Sequence, residues 1–527
     1  MPTIAKNKII WDAEDWMYGL TSQHYFYSNT ASNYRGSCFE TAIDPFIAAG
    51  YLSCGRGSGA ITNFVSGTSP RFVSFTNSVN KKTYLVGSTE MEELDAGAAT
   101  PVLTDSAVFP HTIASATFSD CIEYYIGATS YIFGTYNNAT VGNIVRYDKA
   151  STFVDTYLTT TLAATGMVKT YGHPMIIGDD DILYVGDGPN LHALDGQLGA
   201  NGTWFTDVLK FPKGFEIKGF AKIEPRSLVV FAEKNSGSSD YPGEVMVQFW
   251  DYLEEDAYKV ARIENAYEVG GMFSTRGTVG CFTRGMSVDE NTGYIMKNLF
   301  LMVYNTGTGK FERKESVSAG DVGVNAFKVP LYRGTEIREG QILANFNGYV
   351  FSFGSPHDGI SAGMHQPYNI YTDTGDPGII TKAYVDRTFV SGSESVGGDS
   401  LFSYMNTGSF SFDGYYKSGY AEPIFDTNKR GIIKKVRIEF RDEQTTAGQG
   451  VSVFFLDRDA NEVLRAMNEV VTISDRVVEF EYNSSDNNNS KNFDALQLVV
   501  DWNGGTGSTI SPQIRRVIVD YDTINIK

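Results

Sequence analysis

The sequence predicts an all-β protein, a β-propeller of six or seven blades followed by a C-terminal β-sandwich of jelly-roll type. Three observations carry that reading. Short β-branched and aromatic segments are punctuated throughout by Gly, Asn and Asp, the composition of strands joined by tight turns. Paired strand segments recur at a near-constant interval over the middle of the chain, and apolar and polar residues alternate strictly near its end. The 527 residues include 34 Phe, 31 Tyr and 5 Trp, too much apolar surface for a disordered chain and enough length for several domains. No apolar run approaches the ~20 residues that span a bilayer as a helix.

Residues 1–50 read as an entry segment. Beyond Lys6 and Lys8 it offers only Ile9, Ile10 and Trp11 before acidic residues, so a secretory leader is not expected. A helical turn or two is expected around Ala13 to Leu20, and Glu462 to Glu469 is ambiguous between helix and strand. Residues 51–370 read as the propeller. KKTYLVGSTEMEELD, TSYIFGTYNNATVGNIVRYDK, DDDILYVGDGPNLHALD and RSLVVFAEKNSGSSDYPGEVMVQFWD are centred on Leu85, Ile132, Leu183 and Val229, 46 to 51 residues apart. That interval is close to the roughly 40–50 residues of a four-stranded blade. NLFLMVYNTGTGKFERK and GQILANFNGYVFSFGSP repeat the outline less regularly. A single blade cannot bury both its faces, so a closed ring follows, with Ile132, Leu183 and Val229 buried.

Residues 371–407, rich in Gly, Ser and Asp, read as a linker or inserted loop. Residues 408–527 then alternate: Val436, Ile438 and Phe440 against Arg437, Glu439 and Arg441, and Val478 and Phe480 against Glu479 and Glu481. Leu498 and Trp502 continue the buried face, and an independently folding sandwich is expected.

Chemistry is sparse. No G-x-S-x-G elbow is present, and CGRGSGA (Cys54 to Ala60) lacks the Lys-Ser/Thr end of a phosphate loop, so it reads as a turn. The run Asp179, Asp180, Asp181, with Asp187, has oxygen ligands suited to a divalent cation, although a solvated blade turn is the simpler reading. The four cysteines form no C-x-x-C pair and the six histidines are scattered, so no metal, cofactor or catalytic residue is assigned and the chain is expected not to be an enzyme. With 62 acidic and 43 basic residues the net charge is −19, which argues against a grip on nucleic acid. Basic residues gather at Lys434, Lys435 and Arg437, a face expected to dock an acidic neighbouring subunit.

IIWDAEDWMYGL with TAIDPFIAAGYLSCGRG, the blade segments ILYVGDGPNLHALD and YIFGTYNNATVGNIVRYD, and the terminal strands KKVRIEFRDE and QIRRVIVDYD resemble bacteriophage tail propeller proteins. That group includes the tail nozzle proteins of short-tailed phages. The resemblance implies a virion protein made in the host cytoplasm, a homo-oligomeric ring at the DNA exit channel. Its implied partners are copies of itself and other tail proteins such as adaptor and fibre proteins, with DNA only in transit. The alternative is a propeller that binds or cleaves a host surface polysaccharide, for which exposed Tyr and Trp with abundant Asp suit sugar stacking and hydroxyl hydrogen bonding.

Overall fold

Segments such as Ser227–Lys234 and Glu244–Trp250 are apolar and buried on both faces, which a sheet achieves only when a neighbour covers each side. The computed structural model shows how. It describes residues 3–5, 7–13, 16, 37–45, 47–48, 50–60, 75–77, 82–86, 89–95, 102–104, 106–223, 226–234, 243–264, 266–275, 277–288, 295–318, 335–338, 341–346, 349–354, 363–365, 380–383, 387–393, 400–410, 414–421, 428–482, 491–503 and 509–525. The chain divides into two compact units, residues 59–349 with 371–405, and residues 1–58, 350–370 and 406–527.

Among the described residues, seven small antiparallel sheets succeed one another as propeller blades: residues 75–112, 117–154, 175–210, 216–263, 266–318 and 335–365, and a seventh of residues 380–410 completed by Arg56–Ala60. The first strands of successive blades neighbour one another, and Ile380–Ala383 of blade seven lies beside Phe75–Asn77 of blade one, so the ring closes. Side-chain parity decides which neighbour a residue serves. Leu228, Val230 and Ala232 pack with Tyr184, Leu191 and Leu209 of blade three. Val229 and Phe231 pack with Val269, Val279 and Cys281 of blade five. Ile132 sits between blades one and two, and Leu183 between blades two and three. All three expected core residues are fully buried. Tyr124 adds a polar clasp: its hydroxyl donates to the Leu194 carbonyl at 2.9 Å and accepts the Gly196 N–H at 2.8 Å. A Cβ at Gly196 would lie 2.0 Å from the Tyr125 carbonyl oxygen, so only glycine permits the approach.

The second unit contains two five-stranded sheets sharing one core. The first orders Thr3–Ala5, Lys8–Trp11, Ile514–Asn525, Lys429–Phe440 and Val477–Glu481. The second orders Ser37–Thr41, Gly414–Ser418, Gln497–Asn503, Gly450–Leu456 and Glu462–Val470. Setting aside the two outermost N-terminal strands, Thr3–Ala5 and Ser37–Thr41, and numbering the other eight in chain order, the sheets read 1-8-3-6 and 2-7-4-5. This is the double Greek key of a jelly roll. Val436, Ile438, Phe440, Leu498 and Trp502 are buried in the core, with Val478 and Phe480 half-buried against it.

Three expectations about organisation are corrected. Residues 1–50 are not a lead into blade one, because Thr3–Ala5, Lys8–Trp11 and Ser37–Thr41 are sandwich strands and Trp11 and Trp16 lie in its core. Residues 371–407 are not a linker, because Ile380–Ala383, Arg387–Ser393 and most of Ser400–Phe410 build blade seven. The glycines of CGRGSGA are not a turn, because Arg56–Ala60 is the strand that completes that blade. The propeller is therefore inserted between the first and second strands of the jelly roll. Glu462–Val470 is a strand. Around Ala13, the Trp16 N–H donates to the Asp12 carbonyl in a helical turn, and residues 17–20 lie outside the described residues.

A fragment of residues 408–527 lacks the strand Lys8–Trp11 and the Trp11 and Trp16 side chains. It is expected to show no cooperative urea transition, whereas the full chain does. A sharp transition in the fragment contradicts this sheet assignment. Val229→Asp in the full chain is expected to prevent folding, since an unpaired charge between two blades costs several kcal/mol, and far-ultraviolet circular dichroism reads the loss.

Candidate functional site

The first strands of the blades carry polar residues near their starts, where the next layer of apolar packing has not begun. Cross-strand register shows the recurrence. Asp120 faces Thr135 in blade two, Glu216 faces Glu233 in blade four, and Glu268 faces Arg284 in blade five. In blade three, His173 and Asp187 lie just beyond the pair Met175 and Val185, with His173 Nδ1 3.7 Å from Asp187 Oδ1. A bulge follows or precedes the polar residue in blades two, four and five, and bulges re-aim side chains.

Because these strands neighbour one another around the ring, equivalent positions come together. Asp120 Oδ2 accepts the Met175 N–H of blade three at 2.7 Å. Glu216 Oε1 accepts the Gly172 N–H at 3.1 Å. Glu233 Oε2 accepts the Val269 N–H of blade five at 2.9 Å. Charge-assisted bonds of this kind are stronger than neutral ones, so the carboxylates also clasp blade to blade.

Two like charges facing each other across a strand pair repel, and Glu216 opposite Glu233 is such a pair. Lys218 relieves it, with Nζ 3.0 Å from Glu216 and 3.3 Å from Glu233. Burial pushes the Glu233 carboxyl above its ordinary value, opposed by the Lys218 ammonium and reinforced by Glu268 and Glu216. Arg284 lies 3.1 Å from Glu268. Glu216, Lys218, Glu268 and Arg284 are each about a quarter to a third exposed, while Glu233 is buried. The cluster continues through His173, whose ring nitrogens lie 3.1 Å from the Gly186 carbonyl and 2.8 Å from Asn137 Oδ1. Burial holds His173 below its ordinary value, with Asp187 pulling the other way. His192 lies 3.4 Å from the other Asp187 oxygen. Accessible carboxylates with their cations can hold hydroxyl groups, and a buried carboxyl beneath them fixes the lysine.

The residues singled out in the sequence lie elsewhere. Lys434, Lys435 and Arg437 sit on Lys429–Phe440 and are answered within their own sheet: Lys434 by Asp522 at 3.8 Å, Lys435 by Glu479 at 2.7 Å and Glu481 at 3.5 Å, and Arg437 by Glu439 at 3.0 Å and Glu479 at 3.8 Å. The hydrogen bond from Lys435 raises that ammonium's pKa and lowers that of Glu479. Asp179, Asp180 and Asp181 form the turn before Leu183–Asp187. Asp179 pairs with Lys222 at 3.0 Å and Asp180 accepts from the Tyr184 hydroxyl at 2.6 Å. Among the described residues no group of three or more His, Cys, Asp or Glu is placed to hold a metal ion. Glu216, Lys218, Glu233, Glu268 and Arg284 were missed by the sequence reading. The available signal was the recurrence of Asp120, His173, Glu216 and Glu268 at 43 to 53 residues, each opening a strand-like run.

No protein-family model and no curated protein sequence matches this chain. Solved structures match the fold. Drosophila Semaphorin 2a is 7% identical with a TM-score of 0.41, covering 89% of this chain and 96% of its own. A glycoside hydrolase is 12% identical with a TM-score of 0.26, covering 88% and 99%. An α-L-arabinofuranosidase from Podospora anserina, in complex with cellotriose, is 10% identical with a TM-score of 0.27, covering 55% and 90%. The expectation that the chain is not an enzyme rested on missing motifs and is withdrawn, since glycoside hydrolases are among the matched structures; likeness at these values transfers no activity to this chain.

A second acidic pair lies on the third strand of blade one. Glu90 and Glu92 share one side of Glu90–Asp95, and burial, with the Glu90 charge second, pushes Glu92 from 4.5 up to about 8. A carboxyl raised in the folded state stabilises fully below its unfolded value, and that contribution is lost as pH rises through the folded value. Glu92→Gln is therefore expected to flatten the decline in stability between about pH 4.5 and about 8, read as urea midpoints across that window. An unchanged pH profile contradicts the assignment.

Proposed function

We propose that this chain is a glycan-active β-propeller that engages a hydroxyl-rich polysaccharide at the axial cluster of blades two to five. The observation that carries the reading is that Glu216 and Glu268, each near the start of the first strand of adjoining blades, remain accessible together with their cations Lys218 and Arg284. Carboxylates, an ammonium and a guanidinium together offer both acceptors and donors to sugar hydroxyls. In this reading Glu216 and Glu268 are the accessible carboxylates that act on the glycan, and the buried Glu233 holds Lys218 beside Glu216. The test is retardation of the purified full chain in gels containing polysaccharide, together with release of reducing ends. The double variant Glu216→Gln, Glu268→Gln is expected to lose at least about tenfold in affinity, ~1.4 kcal/mol, with the fold retained in far-ultraviolet circular dichroism. Absence of both retardation and cleavage over a broad polysaccharide panel overturns the reading.

A second reading is a subunit of a bacteriophage tail, assembled with copies of itself and other tail proteins around DNA in transit. The net charge of −19 favours it, because a wall passed by a polyanion must not bind it. Docking through Lys434, Lys435 and Arg437 requires an acidic neighbour to displace the ion pairs these residues already make. Reversing all three to Glu is expected to block ring formation in light scattering while leaving the monomer folded. Normal rings, or a wild-type chain that stays monomeric, contradict this second reading.

A further inference from the structure

We infer that Asn201 is a site of spontaneous covalent modification, where the Gly202 amide nitrogen attacks the Asn201 side chain and converts it to aspartate and isoaspartate. The site lies in the loop between the third and fourth strands of blade three and is independent of the glycan reading. Residues 196–202 join Asn190–Asp195 to Thr203–Lys210, and Gln197 to Asn201 are all exposed. The loop closes the end of the blade away from the axial cluster, since Asp187 faces Asn190 where the third strand begins and Asp195 faces Thr203 where it ends.

An asparagine followed by glycine offers the least steric resistance to ring closure, because glycine has no Cβ to obstruct its nitrogen. Such pairs begin at Asn201, Asn347 and Asn503. In the reaction hydroxide removes the Gly202 amide proton, the nitrogen bonds to Asn201 Cγ, and the Cγ–Nδ2 bond breaks, Nδ2 leaving as ammonia after taking a proton from water. Water then opens the cyclic imide at either carbonyl, giving the aspartyl or the isoaspartyl chain. Hydroxide and water are the only co-reactants.

The structure favours Asn201 among these pairs because both reacting groups are uncommitted there. Among the described residues its side chain has no hydrogen-bond partner, and the Gly202 N–H meets the Gly199 carbonyl only at 3.4 Å, too long for a strong bond. The Asn201 carbonyl accepts the Tyr157 hydroxyl, and a donor on that oxygen favours the deprotonated amide, whose charge the oxygen shares. Tyr157 is fully buried among side chains of blades two and three, so the donor is held in place. Asp195–Gly196, a few residues earlier, is restrained instead: the Gly196 N–H donates to the Tyr124 hydroxyl at 2.8 Å, and Asp195 Oδ1 accepts the Gln197 N–H at 2.8 Å. Asn503 stands in a strand opposite Gly450, and residues 347–348 lie outside the described residues.

The experiment holds the full chain in mildly alkaline buffer, folded and in urea, and follows Asn201 and Asn503 by peptide mapping with mass-spectrometric fragmentation that separates aspartate from isoaspartate. In the folded chain Asn201 is expected to convert at least about tenfold faster than Asn503, ~1.4 kcal/mol, at a rate that rises with pH. In urea the two rates are expected to converge. Asn201→Gln is expected to remove the corresponding acidic species from isoelectric focusing of the intact chain. Tyr157→Phe, which keeps the ring, is expected to slow conversion at Asn201 about fivefold, the factor one hydrogen bond supplies. Conversion at Asn201 no faster than at Asn503 in the folded chain overturns the inference. An unchanged or faster rate in Tyr157→Phe overturns the activating role of Tyr157.

Discussion

Ring closure is the constraint on which the propeller depends. Blade seven takes three strands from residues 380–410 and its last from Arg56–Ala60, more than three hundred residues earlier in the chain. A loop of that length costs only slowly growing entropy to close, and closure removes the exposed faces that an open row of blades would leave at its two ends. The sandwich obeys the same logic. Its first strand, Lys8–Trp11, pairs with its last, Ile514–Asn525, in the register Ile9 to Val519 and Trp11 to Val517. Each unit is therefore closed by contacts between segments far apart in sequence, and contacts of that kind form slowly.

Closure also determines where charge can sit. The blade faces are filled by neighbours, as the division of Leu228 and Val230 from Val229 and Phe231 shows. Little room remains for ionised groups along the middle of the first and second strands. Polar pairs are tolerated where the first strands begin and the second strands approach their ends, and the ring brings those positions together. The same geometry that stabilises the fold thus concentrates carboxylates, a lysine and an arginine about one end of the axis. Several of these groups serve twice: Glu233 joins blade four to blade five through the Val269 N–H and also fixes Lys218.

The strands and their burial were legible because composition and alternation report local structure. Ile132, Leu183, Val229, Val436 and Trp502 are buried as their patterns require. What escaped was pairing at a distance. Arg56–Ala60 contains two glycines, a serine and an alanine, so it resembles a turn, yet it is held extended by blade seven. Lys8–Trp11 is too short to announce that its partner lies at the other end of the chain. The axial cluster was hidden for a related reason. Glu216 and Glu233 become meaningful only when their register and the intervening Lys218 are known. The basic residues at Lys434 to Arg437 stood out in the sequence because their partners Glu479, Glu481 and Asp522 come from other strands.

The location of the site is tested most directly by hydrogen–deuterium exchange of the full chain with and without a saturating neutral oligosaccharide. The account predicts increased protection at residues 117–120, 172–175, 216–218 and 266–269, with the sandwich strands unchanged. Protection confined to the sandwich, or to the outer strands of the blades, would contradict it.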